Sequence, residues 1–142
     1  MRLEKGDELG IAKQEKSLKK KFSKIRVAPE HFASQELGSY PGPEYGQLND
    51  KQRDRLTGSF TLSTNNNRVA YHINEPIENS LEPLFTSAVF PGTVQLTPSG
   101  KLIVLMKDCQ VTGGYPRVLQ LSEQAISRLS QKVAGEKVWF RI

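Results

Sequence analysis

Apolar positions along the chain fall in short runs cut by turn residues. Ser59-Phe60-Thr61-Leu62-Ser63 alternates polar and apolar, the period of a strand with one buried face. Asn65-Asn66-Asn67 predicts a turn, because Asn tolerates left-handed backbone, and residues 68–73 then predict the return strand of a hairpin. Thr93-Val94-Gln95-Leu96 alternates again and stops at Thr97-Pro98-Ser99-Gly100. Leu102-Ile103-Val104-Leu105-Met106 is apolar throughout, which suits a strand buried on both faces. Val118-Leu119-Gln120-Leu121 and Val138-Trp139-Phe140-Arg141-Ile142 predict two more strands. Only two segments carry helix signals. Asn49 caps one over 49–56, with Asp50 in its first turn and Gly58 beyond its end. Ser122 opens the other, with Ile126 and Leu129 on one face. Residues 30–45 read as loop and end in the turn Pro41-Gly42-Pro43-Glu44-Tyr45. Many short strands with two short helices predict a mostly β domain, a barrel or a two-sheet body.

Residues 1–29 are patterned differently and are expected to be a lead-in to a domain spanning 30–142. Leu3-Glu4-Lys5-Gly6-Asp7-Glu8-Leu9 suits two strand pieces about a Gly-Asp turn. A lysine-rich run follows. Of the chain's 142 residues and net charge of +5, residues 1–26 hold nine Lys/Arg against four Asp/Glu, and the remainder is balanced at eleven of each. The positive charge therefore sits in the lead-in and not on a domain face with interleaved aromatics, so a solvated linker is expected and a nucleic-acid partner is not. The length suits one domain with its own core. The single cysteine, Cys109, permits no intrachain disulfide, gives no zinc-finger spacing, and fits a reducing compartment. No apolar run approaches the ~20 residues of a membrane helix, and no apolar core follows the basic start. The expected address is cytoplasmic, with no membrane partner and no metal.

The chemistry points to Asp108-Cys109-Gln110-Val111-Thr112-Gly113-Gly114-Tyr115-Pro116, directly after the most apolar run. A Gly-Gly pair lets backbone approach a ligand and can offer its N–H groups as an anion nest. Gln110 and Thr112 add hydrogen-bonding side chains, and Tyr115 adds a phenol beside a stiffening proline. Such a set suits a carboxylate, an amide or a developing oxyanion, and equally a plain tight turn. Asp108 is the one acid abutting the glycines. His72 reads as a strand residue, His31 as a loop residue and Cys109 as a small core residue. No Ser-His-Asp order, HExxH, Walker A or GxGxxG motif is present.

Pro91-Gly92-Thr93-Val94-Gln95, Pro98-x-Gly100 and Asp108-x-Gln110-x-Thr112-Gly113-Gly114-Tyr115-Pro116 resemble the carboxyltransferase-like family that holds the C subunit of 5-oxoprolinase, the second allophanate hydrolase subunit, KipA-type proteins and part of urea carboxylase. Pro41-Gly42-Pro43-Glu44-Tyr45, Asn67-Arg68, Leu3-x-Lys5-Gly6-Asp7-x-Leu9 and Trp139-Phe140-Arg141 extend the likeness over most of the chain. The resemblance implies a cyclophilin-like β-barrel and the C-terminal half of the family protein, with the N-terminal half as a partner. It implies ATP-dependent opening of 5-oxoproline to glutamate with partner subunits of the A and B (KipI-like) type. The domain itself would hold no cofactor; the complex would use ATP. A KipA-type module antagonising a kinase inhibitor is the alternative. A biotin-dependent carboxyltransferase of the urea carboxylase or allophanate hydrolase kind is a further one. Carried over residue by residue, Asp108 and Tyr115 would be catalytic. Gln110, Thr112, Gly113, Gly114, Arg68 and Gln95 would bind the small-molecule substrate. The chain departs from the family pattern at Val111, where Thr is usual, at Val69-Ala70, where Met-Gly is usual, and at Leu96-Thr97-Pro98.

Overall fold

The computed structural model describes residues 4–8, 10 and 29–142. Seven strands close a barrel: β1 (Glu36–Pro41), β2 (Ser59–Asn66), β3 (Ala70–Ile73), β5 (Thr93–Leu96), β6 (Leu102–Leu105), β8 (Arg117–Leu121) and β9 (Lys137–Arg141). Two further strands of two residues, β4 (Ser87–Ala88) and β7 (Thr112–Gly113), form a small separate sheet. The helices are α1 (Pro29–Ala33), α2 (Asp50–Leu56) and α3 (Glu123–Leu129). Of the lead-in, only a turn at Lys5-Gly6 is described, closed by Asp7 N–H to the Glu4 carbonyl at 3.2 Å. Glu4 to Glu8 form no strand, contrary to the expected strand pieces; Leu3, Leu9 and the linker run lie outside the described residues.

The ring runs β1-β8-β5-β6-β3-β2-β9 and back to β1. Strand direction cannot alternate all the way round a ring of seven, so one pairing has to be parallel. That pairing is β1 with β9, Leu37 facing Phe140; every other pair is antiparallel. Leu37, Phe60, Val94, Leu102, Val104, Val118, Leu119 and Val138 fill the interior without solvent exposure. The β6 run is covered on both faces, as expected, by two different cores. Leu102, Val104 and Met106 point into the barrel, while Leu105 joins Ala70 and Val89 in a second cluster, with Ile103 and Cys109 against it.

Both expected helices form where their capping residues stand. Asn49 and Gln52 exchange reciprocal side-chain bonds with each other's backbone, and the Ser122 hydroxyl accepts from Ala125 N–H. Residues 30–45 are not a loop: they hold α1 and β1. Leu37 is the only strong hydrophobe of β1, whose other buried side chain is Ser39, so no apolar alternation announces it. The third helix, α1, is held through its carbonyls instead. Arg128 donates to the His31 carbonyl and Lys132 to that of Phe32. The asparagines between β2 and β3 also act otherwise than expected. Among the described residues no non-glycine has positive φ. β2 runs on to Asn66, and a register shift sits between Leu62 and Asn66. The Asn66 amide fills that shift, accepting from His72 N–H at 2.7 Å and donating to the Ser63 carbonyl at 2.6 Å.

Leu37 closes the ring at its parallel seam, so Leu37→Ala should lower unfolding free energy by about 2–5 kcal/mol in urea titration. A loss under about 1 kcal/mol would show that the seam is not structurally demanding.

Candidate functional site

β6 leads to β8, but β5 lies between them in the ring. The connection, residues 106–116, therefore runs over the outer face of β5. On β5, Val94 and Leu96 point inward, leaving Thr93 and Gln95 on the outer face, both buried beneath what crosses them. Residues 84–89 lie alongside the crossing chain as a strap. Ser87 pairs with Gly113 and Ala88 with Thr112. Leu84 N–H donates to the Gly114 carbonyl at 2.7 Å, and Val89 N–H to that of Val111 at 3.0 Å.

This crossing explains the glycines. A Cβ on Gly113 would stand 2.7 Å from Nε2 of Gln95, and one on Gly114 3.1 Å from the Leu84 carbonyl oxygen. Neither glycine has positive φ, so the alternating right- and left-handed backbone of an anion nest is not built there. Both glycines are places of close approach, to the end of the Gln95 side chain and to the Leu84 backbone, which corrects the nest expectation. Gln95 donates to the Tyr115 carbonyl at 3.3 Å, so the backbone at Tyr115 is held and its ring is left half-exposed. Gln110 and Thr112 are exposed and make no side-chain hydrogen bond among the described residues.

At the start of the crossing, Arg68 and Asp108 meet in a two-bond fork. Nε donates to Oδ2 at 2.6 Å and Nη2 to Oδ1 at 2.9 Å. The residues are forty apart in sequence. They are joined because β3 pairs with β6 and the ladder continues past both strands, with Asp108 N–H donating to the Arg68 carbonyl. The Arg68 side chain is the larger influence on Asp108 and holds its carboxyl below the ordinary aspartate range; Asp108 raises Arg68 in turn. Asp108 is therefore a carboxylate at neutral pH and a weak base, suited to accepting hydrogen bonds and orienting a guanidinium. Nη1 of Arg68 has no partner among the described residues. A groove of about 410 Å³ lies beside it, lined by Asn67, Arg68, Tyr71, Met106, Lys107 and Gln131.

The structure thus brings Arg68 to Asp108, and Gln95 to Gly113 and Tyr115, as two groups at either end of one crossing. Sequence reading missed a third group. Glu44 is buried and takes Arg117 in a fork of its own, from Nε at 3.0 Å and Nη2 at 2.8 Å, and accepts Arg117 N–H at 2.8 Å. Arg117 is also the main cause of a lowered Glu44 pKa. Both residues border motifs already singled out, Glu44 in the Pro-Gly-Pro turn and Arg117 after Pro116. Their separation of seventy-three positions hid the pair. Among the described residues no group of His, Cys, Asp and Glu could hold a metal, and no helix is long and apolar enough to cross a membrane.

The family model "Carboxyltransferase domain, subdomain A and B" matches residues 1–142. The chain belongs to that carboxyltransferase-domain family. It is 30% identical over 141 residues to the C subunit of 5-oxoprolinase from Escherichia coli, covering 97% of this chain and 44% of that protein. It is 29% identical over 130 residues to the subunit of the same name from Haemophilus influenzae, covering 82% of this chain and 42% of the relative. The chain thus spans less than half the length of either curated relative. The Kluyveromyces lactis urea carboxylase structure shares the fold, with a TM-score of 0.68 at 13% identity, over 74% of this chain and 10% of that one. The mostly β barrel is the one the family resemblance implied.

Two measurements check this site in the carboxyltransferase-domain chain. Asp108 should titrate below an ordinary aspartate by carboxyl NMR, so its ion pair is complete at neutral pH and is lost as pH falls through that lowered midpoint. In Arg68→Ala the midpoint should return to the ordinary range; an unmoved midpoint would refute the fork. Gly113→Ala should cost about 1–3 kcal/mol, because its methyl group has to displace a buried Gln95. A neutral result in thermal unfolding would mean that the crossing is not close-packed.

Proposed function

We propose that this chain is the C-terminal part of the C subunit of an ATP-dependent 5-oxoprolinase, with a lead-in over residues 1–29 and the site-bearing domain over 30–142. One observation carries the reading: the 30% identity to a protein of that name, running through nearly the whole chain. The geometry fits the substrate class. 5-Oxoproline carries a carboxylate and a lactam, and Arg68 keeps an unpartnered Nη1 beside a groove of suitable size. Asp108 holds the guanidinium still and accepts hydrogen bonds. Tyr115 supplies a phenol from a fixed backbone, while Gln110, Thr112, Gly113 and Gly114 would offer contacts along the loop, with Gln95 supporting it from beneath. Opening the lactam adds water across its C–N bond. The ATP that drives it would be bound by partner subunits of the A and B type and by the N-terminal half of the same polypeptide, in keeping with a sequence that carries no Walker A or GxGxxG motif. A cytoplasmic address accompanies this reading.

A second reading has its own support. The barrel is shared with a urea carboxylase and the family is described by carboxyl transfer, so the same groove could serve a biotin-dependent carboxyltransferase.

The deciding assay co-expresses the full-length protein with its partner subunits and follows glutamate release from 5-oxoproline, with and without ATP. ATP-dependent release is expected. Arg68→Ala should raise KM about ten- to hundredfold, the value of a charge-assisted contact to a carboxylate. Tyr115→Phe should lower kcat. A well-folded complex that releases no glutamate but carboxylates an acceptor from carboxybiotin would replace the first reading with the second.

A further inference from the structure

Arg117 serves two elements at once. One edge of its guanidinium, Nε and Nη2, holds Glu44. The remaining nitrogen, Nη1, donates to the Ala88 carbonyl at 3.0 Å. Ala88 belongs to the strap, whose other ties are a short ladder and the burial of Val89 against Ala70 and Leu105. Its ladder with β7 is two residues long, with one flanking backbone bond at each side. Phe85 within it is fully exposed. The bond from Arg117 is the only side-chain hydrogen bond to the backbone of residues 84–89 among the described residues.

Glu44 is itself buried and held on several sides. It sits in the turn after β1, where a Cβ on Gly42 would come within 2.2 Å of the Arg117 carbonyl oxygen, and Gly42 N–H donates to the Val118 carbonyl. Glu44 N–H returns a bond to the Arg117 carbonyl at 3.2 Å. The guanidinium is thus anchored on the barrel wall and reaches outward to the strap. A planar fork with five donors can face a carboxylate and a carbonyl on different elements together; an ammonium at the same place could satisfy the carboxylate but not span to both.

We propose that Arg117 is a positioning residue for the candidate site: anchored by Glu44, it fixes the strap through Ala88 and thereby sets the crossing chain from Thr112 to Tyr115 over Gln95. The strap pairs with that chain at Ser87–Gly113 and Ala88–Thr112, so its place and the loop's place are one quantity. The consequence for substrate rests on the 5-oxoprolinase reading; the consequence for the strap does not.

Arg117→Lys separates the two roles, since it keeps the charge beside Glu44 and removes the reach to Ala88. In the full-length protein, hydrogen exchange should quicken about tenfold or more at Leu84, Val89 and Gly113, while Val104 and Leu119 in the barrel change less than about twofold. In the assembled complex, kcat/KM should fall several-fold, because the crossing chain carries both the binding residues and Tyr115. Unaltered exchange in the strap would overturn the proposal, as would an equal rise in strap and barrel, which would mark Arg117 as merely stabilising. If Arg117→Lys does not fold, Glu44→Gln carries the same exchange comparison, and the same outcomes uphold or overturn the proposal. Selectively loosened strap amides in Arg117→Lys, together with an unmutated complex that releases no glutamate, would uphold the positioning role and refute the substrate reading alone.

Discussion

The connection between β6 and β8 runs across β5. Those two strands are consecutive among the ring's longer strands, yet they are not neighbours in it. A chain laid over the outside of a barrel brings backbone polar groups onto a surface that must be dry enough to pack, and each such group needs a partner. The strap supplies a short ladder, Gln95 supplies an amide from beneath, and Arg117 supplies a guanidinium from the side. Glycine at 113 follows from the same crossing, since any larger residue meets Gln95. The features that looked like chemistry in the sequence are first the terms on which one loop crosses one strand.

The two arginine–carboxylate forks differ in weight because they differ in solvent. Arg68–Asp108 stands in water, with the arginine side chain 80% exposed, and exposed pairs contribute little to stability. Its fork geometry is instead available to a ligand, which can share the guanidinium. Glu44–Arg117 is mostly enclosed, its side chains 10% and 19% exposed. Removing either partner there strands a charge, which costs more than the pair itself contributes. Glu44 has its pKa lowered, so what it contributes is complete above the ordinary glutamate pKa and is lost as pH falls through the lowered one. The first fork suits recognition and the second suits support.

Sequence legibility followed the same physics. β5, β6, β8 and β9 could be read because a buried strand selects apolar residues in a pattern, and α2 and α3 because Asn49 and Ser122 cap them locally. β1 could not, since it is held by register with β8 and β9 and offers a single strong hydrophobe. β4 and β7 could not either, at two residues each. The stretch from Asp108 to Pro116 stood out through its composition, and Arg68 and Gln95 through a family likeness. Their partnerships are set by pairings across the ring that no local window contains. Arg68 reaches Asp108 only through the β3–β6 ladder, and Glu44 reaches Arg117 only because β1 lies beside β8. Reading residues picked out Asp108 and the glycines but not Glu44 or Arg117, and topology supplied the contacts of all of them.

The departure at Val111 shows how such a site can change without disturbing its frame. Val111 contributes its carbonyl to Val89 through the backbone, which any residue there would do, while its side chain is 78% exposed. An exposed valine gains nothing from burial and makes no core contact that a threonine would lose. The substitution is therefore close to neutral for folding and is felt only by what approaches the loop. Ala70 is the contrasting case: it lies buried in the cluster with Val89 and Leu105, under the crossing. A methyl group there packs against the strap side of the barrel, where glycine would leave a gap. One departure alters the outer face of the loop and the other the bed on which that face rests. They act on different links of the same chain, from packing to strap to loop.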